Sequence, residues 1–322
     1  MDLRLPPALR AALESERADA PSREIGARAA RLSELYRSNE PSSRAIRNAQ
    51  DAAAYAIARM PATYAAAMAA LGTLAHEQPD FAPASVLDLG AGPGAAAWAA
   101  CETWPTLAAA TLIDHNDAFL SLARRLAQMA DAPALRDARI ERGDLAKRLT
   151  AAPHDLVVAS YALTEIADIE AAAAHWLALA AQALVVIEPG RPRDYRRLMK
   201  VRQALATRAR ILAPCAQAGS CPLTGDDWCH FSARLPRLRE HMRAKGANVP
   251  FEDEKFSYLI VAPPGSPLHA RAAPRVLAPP HVGKAGAILK LCTADGLELR
   301  TVASRDKPAF KRAKKADWGD AL

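Results

Sequence analysis

The sequence predicts an α/β protein built on a parallel sheet flanked by helices, and three observations carry that prediction. From Pro83 onward, short apolar runs alternate with helical patterns. The first run, Ser85 to Leu89, leads into Gly90-Ala91-Gly92-Pro93-Gly94 and then an alanine-rich helical pattern from Ala95 to Ala100. Two further runs meet an acid at their ends, Ala110 to Asp114 and Ala138 to Arg142 ahead of Gly143-Asp144. Glycines at alternate positions let the chain turn sharply and approach a ligand where a Cβ would clash. In an open parallel sheet such a turn lies beyond the carboxyl ends of the strands, where ligands bind.

The elements follow in order. Residues 1–80 read as a helical region: Ala27 to Arg37 is amphipathic, Ser43 to Met60 is a second helix capped at Ser42 or Ser43, and a third begins at Pro61 and ends at Leu71-Gly72. Arg44, Arg47 and Arg59 read as a solvated helix face, with contact to a phosphate backbone as the alternative. Residues 81–265 form the central unit. Its strands are Ser85 to Leu89, Ala110 to Asp114, Ala138 to Arg142, Leu156 to Ser160, Leu184 to Glu188 and Phe256 to Ala262. Its helices are Asp117 to Met129, a segment between Ser160 and Leu184, a long basic helix from Asp194 to Leu212, and Leu235 to Lys245. The segment 213–231 is irregular and carries cysteines. Pro263-Pro264-Gly265 closes the unit. In residues 266–322, Ala287 to Leu291 and Leu297 to Ala303 flank Ala294-Asp295-Gly296, a strong hairpin signal. A basic tail follows, with Arg305, Lys307, Lys311, Arg312, Lys314 and Lys315.

Composition bounds the function. With 322 residues, 51% hydrophobic and 24% charged, the chain suffices for one large domain with appendages or for two. A net charge of +7 suits a polyanionic partner such as RNA. No stretch approaches the ~20 apolar residues of a bilayer span, so no membrane association is expected. Met1 to Arg10 lacks the apolar core and cleavage site of a secretory signal, which points to the cytoplasm. Five cysteines is an odd number, without the spacing of a secreted disulfide scaffold.

The Gly-x-Gly-x-Gly spacing differs from the Gly-x-Gly-x-x-Gly of a dinucleotide site. With Asp88 two residues before the first glycine, it resembles the first motif of S-adenosylmethionine-dependent methyltransferases. The candidate cofactor residues are therefore Asp88, Gly90, Gly92, Gly94, Asp114 and Asp144. A carboxylate at Asp114 can accept hydrogen bonds from two ribose hydroxyls, and one at Asp144 from an adenine amino group. The Asn/Asp-Pro-Pro-Tyr/Phe motif of many amine methyltransferases is absent: the fourth strand runs into Ala159-Ser160-Tyr161-Ala162-Leu163. Methyl transfer needs little beyond alignment of nucleophile and sulfonium, so no residue is named as catalytic. Pro214-Cys215 resembles the Pro-Cys of enzymes that methylate carbon five of cytosine through a cysteine adduct.

A different role for Cys215 is the stronger reading. Cys215, Cys221 and Cys229 fall in one irregular stretch, and Cys292 lies in the first arm of the hairpin. Together they make a tetrathiolate set for an iron–sulfur cluster or zinc. The intervening gaps of five and seven residues are wider than a Cys-x2-Cys zinc knuckle and favour the larger cluster. His230 is a possible substitute ligand, and Cys101 reads as a buried small hydrophobe.

Several stretches together resemble the methyltransferase-like proteins of the mitochondrial small ribosomal subunit and their bacterial relatives. They are Arg59-Met60-Pro61-Ala62-Thr63-Tyr64, Leu87 to Gly94, Val186 to Gly190, Cys221-Pro222-Leu223 with Asp227 to Phe231, and Ala316 to Asp320. The resemblance implies a class I methyltransferase (Rossmann-like) fold, S-adenosylmethionine binding and association with the small ribosomal subunit and its rRNA during assembly. It also implies a 4Fe-4S cluster on Cys215, Cys221, Cys229 and Cys292. The expected function is an S-adenosylmethionine-binding methyltransferase-like protein of the bacterial cytoplasm acting on or binding rRNA, with no DNA partner. The alternatives are a non-catalytic iron–sulfur RNA-binding assembly factor with a vestigial cofactor site, and a small-molecule methyltransferase.

Overall fold

The computed structural model describes residues 3–18, 22–37, 45–237, 242, 248–270 and 273–322. Among the described residues four helices are assigned first: α1 (Pro7–Ala18), α2 (Ser22–Arg37), α3 (Ala49–Ala58) and α4 (Met60–Glu77). The central unit then alternates: β1 (Ser85–Leu89), α5 (Ala95–Thr103), β2 (Ala109–Asp114), α6 (Asp117–Gln128), α7 (Pro133–Arg136), β3 (Arg139–Arg142), β4 (His154–Ser160), α8 (Ile169–Leu179), β5 (Ala180–Pro189) and α9 (Pro192–Leu205). Three strands complete it: β6 (Arg210–Ala213), β7 (Phe231–Pro236) and β8 (Phe251–Ala262). The last part holds β9 (Arg275–Val276), β10 (His281–Val282), β11 (Gly286–Thr293), β12 (Gly296–Ala303) and α10 (Lys307–Lys315).

The large sheet runs β3-β2-β1-β4-β5-β8-β6, with β7 also pairing with β8. Strands β1 to β5 are mutually parallel, and β8 lies antiparallel between β5 and β6. This is the α/β, Rossmann-like architecture expected from the sequence, with antiparallel strands added at one edge. Its apolar runs are continuous because both faces are covered. Val86, Leu156, Val158 and Val185 pack toward α3, α4 and α5. Leu87, Leu89, Val157 and Val186 pack the other way, toward Trp176 of α8 and Leu198 and Val201 of α9. A third cluster joins Leu289 and Leu291 of β11 to Ala313 of α10, covering one face of the small antiparallel sheet.

The first four strands coincide with the sequence reading to within two residues at each end. Other boundaries move for physical reasons. The expected caps at Ser42 and Ser43 lie outside the described residues, and α3 is capped instead by Asn48, whose side chain accepts from Asp51 N at 2.9 Å. Gly72 does not stop α4, which continues to Glu77 because its flanks are buried against α5 and the sheet. The basic helix expected to reach Leu212 ends at Leu205, since Arg210–Ala213 pairs with β8 instead. In the helix expected from Leu235 to Lys245, Leu235 belongs to β7, and positions 238–241 and 243–247 lie outside the described residues. Strand β8 begins five residues early because its first half pairs with β7. In the hairpin, Thr293 pairs with Gly296, so Ala294-Asp295 forms the two-residue loop and Gly296, at φ +123°, opens β12. The basic tail is the helix α10, capped by Asp306.

Candidate functional site

The glycine turn sits between β1 and α5 with all three glycines at positive φ: Gly90 +67°, Gly92 +53° and Gly94 +94°. It opens into a pocket of about 510 Å³ lined by Asp88, Gly90, Gly92, Asp114 and Asp144, among others. Gly94 is not in that lining. It is the N-cap of α5, and a Cβ there would meet Leu112 Cδ2 at 3.0 Å, so its freedom serves packing of the helix on β2.

The three acids differ in their surroundings. Asp114 is buried, and each oxygen already accepts one backbone N–H: Oδ2 from Gly92 and Oδ1 from Asn116, both at 2.8 Å. Burial pushes its pKa up, against the pull of those two hydrogen bonds. A carboxylate has about four acceptor positions, so two remain for a ligand. Asp88 is also buried. Its Oδ2 accepts from Ala97 N at 2.9 Å, while Oδ1 has no partner. Burial raises its pKa to about 7. Asp144 is more exposed, accepts from Ala146 N at 3.0 Å and pairs loosely with Lys147 at 3.6 Å.

The opposite wall contains residues that sequence reasoning missed. Tyr161 follows β4 with φ +60°, the only non-glycine residue at positive φ among those described. Its hydroxyl donates to Glu254 Oε1 at 2.8 Å, and Arg59 Nη2 reaches the same oxygen at 3.4 Å. Arg59 thus lines the pocket and is no solvated helix face. Its pKa is raised, chiefly by the Glu254 charge. Arg47 pairs with Asp51, and Arg44 lies outside the described residues. His115 and Glu165 bridge at 3.5 Å between the ends of β2 and β4. Ser160 Oγ, in the same lining, is buried without a partner. A positive φ and a cross-sheet triad have no local sequence signal. Two orphaned polar atoms, Asp88 Oδ1 and Ser160 Oγ, together with three carboxylates around a glycine turn, fit a nucleoside ligand bearing hydroxyl and ammonium donors.

A second cavity gathers Cys215, Cys221, Cys229 and Cys292 in one lining. Cys215 follows β6, and Cys221 and Cys229 come from the segment before β7. Cys292 is brought in by β11, where it is the ladder partner of Arg275 in β9. Arg275 in turn donates to the carbonyls of Pro214 at 3.2 Å and Gly319 at 3.1 Å, and pairs with Glu77 at 2.5 Å. Lys290 of β11 pairs with Asp227. These links hold the small sheet against the cysteine segment. Burial raises the pKa of Cys215, Cys229 and Cys292, and the neighbouring thiols add to the rise. Donor chemistry is all thiol, the soft set that iron–sulfur clusters and zinc take. Among the described residues no three His, Cys, Asp or Glu side chains converge closely enough to hold a single metal ion. His230 is absent from the cavity lining: its ring lies between Trp228 and Trp318, with centroids at 4.8 and 3.9 Å. Cys101 is buried in the hydrophobic core, as read. Cys215 belongs to this cavity and not to the glycine-turn pocket, so the cytosine-adduct reading has no support.

Among the described residues no helix is long and apolar enough to cross a membrane. A family model described as mitochondrial small ribosomal subunit Rsm22 matches residues 49–322. The human protein named "Ribosome assembly protein METTL17, mitochondrial" is 26% identical over 288 residues, covering 83% of this chain and 61% of its own length. The chain thus spans about three-fifths of that relative. Among solved structures, the N-methyltransferase NodS from Bradyrhizobium japonicum WM9 in complex with S-adenosyl-l-homocysteine matches at 14% identity and TM-score 0.41, covering 65% of this chain and 90% of that one. Magnesium protoporphyrin IX methyltransferase from Synechocystis PCC 6803 with bound SAM matches at 14% identity and TM-score 0.40, covering 63% and 81%.

Proposed function

The chain belongs to the Rsm22 family of the mitochondrial small ribosomal subunit, and from that premise we propose that it is an S-adenosylmethionine-binding protein of small-subunit assembly that contacts rRNA. In this reading residues 1–80 are a helical cover, 81–265 the cofactor-binding unit and 266–322 an RNA-facing module, and the chain works in a bacterial cytoplasm. The observation that carries the cofactor reading is the glycine turn fastened to Asp114 beside the unpartnered Asp88 Oδ1. Asp114 would accept the ribose hydroxyls, Asp144 the adenine amino group, and Asp88 the ligand's ammonium. When bound, S-adenosylmethionine supplies an electrophilic methyl group. Tyr161, Arg59 and Ser160 would border the acceptor.

Calorimetric titration of the full chain with S-adenosylmethionine tests this. Binding heat that disappears in Asp114→Ala is expected; no heat with the unaltered chain overturns the reading. RNA contact is assigned to Lys307, Lys311, Arg312, Lys314 and Lys315 on and around the exposed side of α10. Affinity for an rRNA fragment should then fall with salt, by roughly 0.9 log unit per log unit of salt for each duplex phosphate contacted if RNA follows the DNA rule. The thiol cavity is read as a 4Fe-4S site. The support is the all-thiol donor set of Cys215, Cys221, Cys229 and Cys292 around one cavity, with zinc as the alternative. Anaerobically purified protein should be brown; a colourless protein with one zinc per chain would decide for zinc.

A second reading, a non-catalytic assembly factor, is favoured by one observation. The Tyr161 hydroxyl, at the place where an acceptor motif would lie, is already committed to Glu254. Mapping rRNA methylation in a strain lacking the protein separates the two, since only the catalytic reading predicts a missing methyl group.

A further inference from the structure

Arg202 on α9 is 3% exposed. Its partners are the Cys215 sulfur, 3.3 Å from Nε, and the Gln217 carbonyl, 3.1 Å from Nη2. No carboxylate pairs with it among the described residues. Asp194, the acid buried on the same helix, is shared by Arg191, Arg193 and Arg197. The contrast with Arg275 is direct: that guanidinium, which lines the thiol cavity, is 5% exposed and paired with Glu77, whereas Arg202 meets the thiol set only through its bond to Cys215. A guanidinium stays charged throughout the range in which proteins work. Burying it beside neutral thiols leaves a charge with nothing to balance it, which folded proteins avoid.

Tyr195 stands seven residues earlier on α9, two helical turns away and on the same face. Its hydroxyl is 3.1 Å from the Cys221 sulfur. One face of one helix therefore aims two donors at two of the four thiols.

We propose that Arg202 is the counter-charge of an anionic tetrathiolate iron–sulfur centre, and that Arg202 and Tyr195 raise its reduction potential through hydrogen bonds to Cys215 and Cys221. The proposal rests on reading the thiol cavity as a cluster site. A centre ligated by four thiolates is anionic, and reduction adds further negative charge. A buried cation and donors to the sulfurs favour the reduced form. Both residues are positioning residues; neither is a ligand.

The test uses the full chain, reconstituted anaerobically with iron and sulfide, as the unaltered protein and as R202K, R202M and Y195F. Iron per chain is counted, the potential is followed by electron paramagnetic resonance, and iron loss to a chelator is timed. R202M should show a more negative potential and roughly tenfold faster iron loss. Y195F should shift the same way by less, and R202K, which keeps the charge, should stay nearest the unaltered protein. An R202M protein that holds its cluster with unchanged potential and unchanged iron loss overturns the proposal. If R202M does not fold, R202Q replaces it as the uncharged variant and is read beside Y195F, and unchanged potentials in both overturn the proposal. An unaltered chain that takes up no iron, or zinc alone, removes the cluster reading itself, which is seen before any variant is compared.

Discussion

The Asp114 carboxylate and the Gly92 amide are joined by a 2.8 Å hydrogen bond that fastens the glycine turn to the end of β2. The other Asp114 oxygen holds the Asn116 amide, at the start of α6. One side chain thus fixes the floor of the pocket and offers its remaining lone pairs to a ligand. Asp114→Asn keeps one acceptor oxygen but turns an amide donor toward one of the two N–H groups. A buried donor left without an acceptor costs about 1–3 kcal/mol. Chemical denaturation should show a loss of that size, and S-adenosylmethionine should add less thermal stability to the variant than to the unaltered chain. A variant with equal stability and equal ligand response would show that Asp114 does neither job.

Asp88 predicts a pH dependence. Burial raises its folded pKa to about 7, from the 3.8 of a free Asp. Between those values the folded state keeps a proton that the unfolded state has released. Stability therefore falls as pH rises through this window, by about 1.4 kcal/mol per pH unit, and levels off above the folded pKa. Asp88→Asn removes the titration and can still accept from Ala97 N. Melting temperatures at intervals from pH 5 to 8.5 should decline less steeply in the variant, with the difference closing toward acid pH. Parallel curves would mean that Asp88 is not held protonated in the fold.

Much of this arrangement was legible in the chain and some of it was not, for reasons that differ by residue. Strands β1 and β4 carry apolar side chains on both faces, so Val86-Leu87 and Leu156-Val157-Val158 announce buried parallel strands. Strand β6 is four residues long, too little signal to read, whereas β7 alternates Phe-Ser-Ala-Arg-Leu-Pro with the apolar residues inward, a period-two signal the sequence reading did not use. The acids Asp88, Asp114 and Asp144 were marked by their place at strand ends. Tyr161, Glu254 and Arg59 were not, because their meeting spans up to 195 positions and depends on one left-handed backbone angle. The grouping of four cysteines followed from counting thiols. Arg202 was hidden in a helix read only as long and basic, and no single position in it announces that the fold turns that residue inward.

The pair formed by Glu77 and Arg275 joins α4 to β9 across 198 positions, and both residues are nearly fully buried. Removing one partner strands the other's charge, at a cost of about 3–5 kcal/mol. Glu77→Gln should therefore be strongly destabilising. The double change Glu77→Gln with Arg275→Met leaves no buried charge and should cost less than the sum of the two single changes. Urea titrations of all three variants give the coupling directly; strict additivity would show that the ion pair contributes nothing of its own.

Gly190 supplies the sharpest steric prediction. It follows the last residue of β5 beside the pocket, and its amide donates to Lys255 O at 2.8 Å. A Cβ there would lie 2.7 Å from both Lys255 C and Phe256 N. Those are backbone atoms of β8, so no side-chain rotation relieves the clash, and strands β5 and β8 must part. Overpacking of this kind costs about 1–3 kcal/mol or more. The separation would also disturb Glu254, the anchor of Tyr161 and Arg59, one residue from Lys255 on the same strand. Gly190→Ala should thus lower both the unfolding midpoint and the affinity for S-adenosylmethionine. Gly265→Ala is the matched control, because a Cβ there meets nothing within 4 Å, although its φ of +86° carries a backbone cost. That control should lose stability while leaving ligand affinity unchanged. Equal affinity in the two variants would show that contact between β5 and β8 does not shape the pocket.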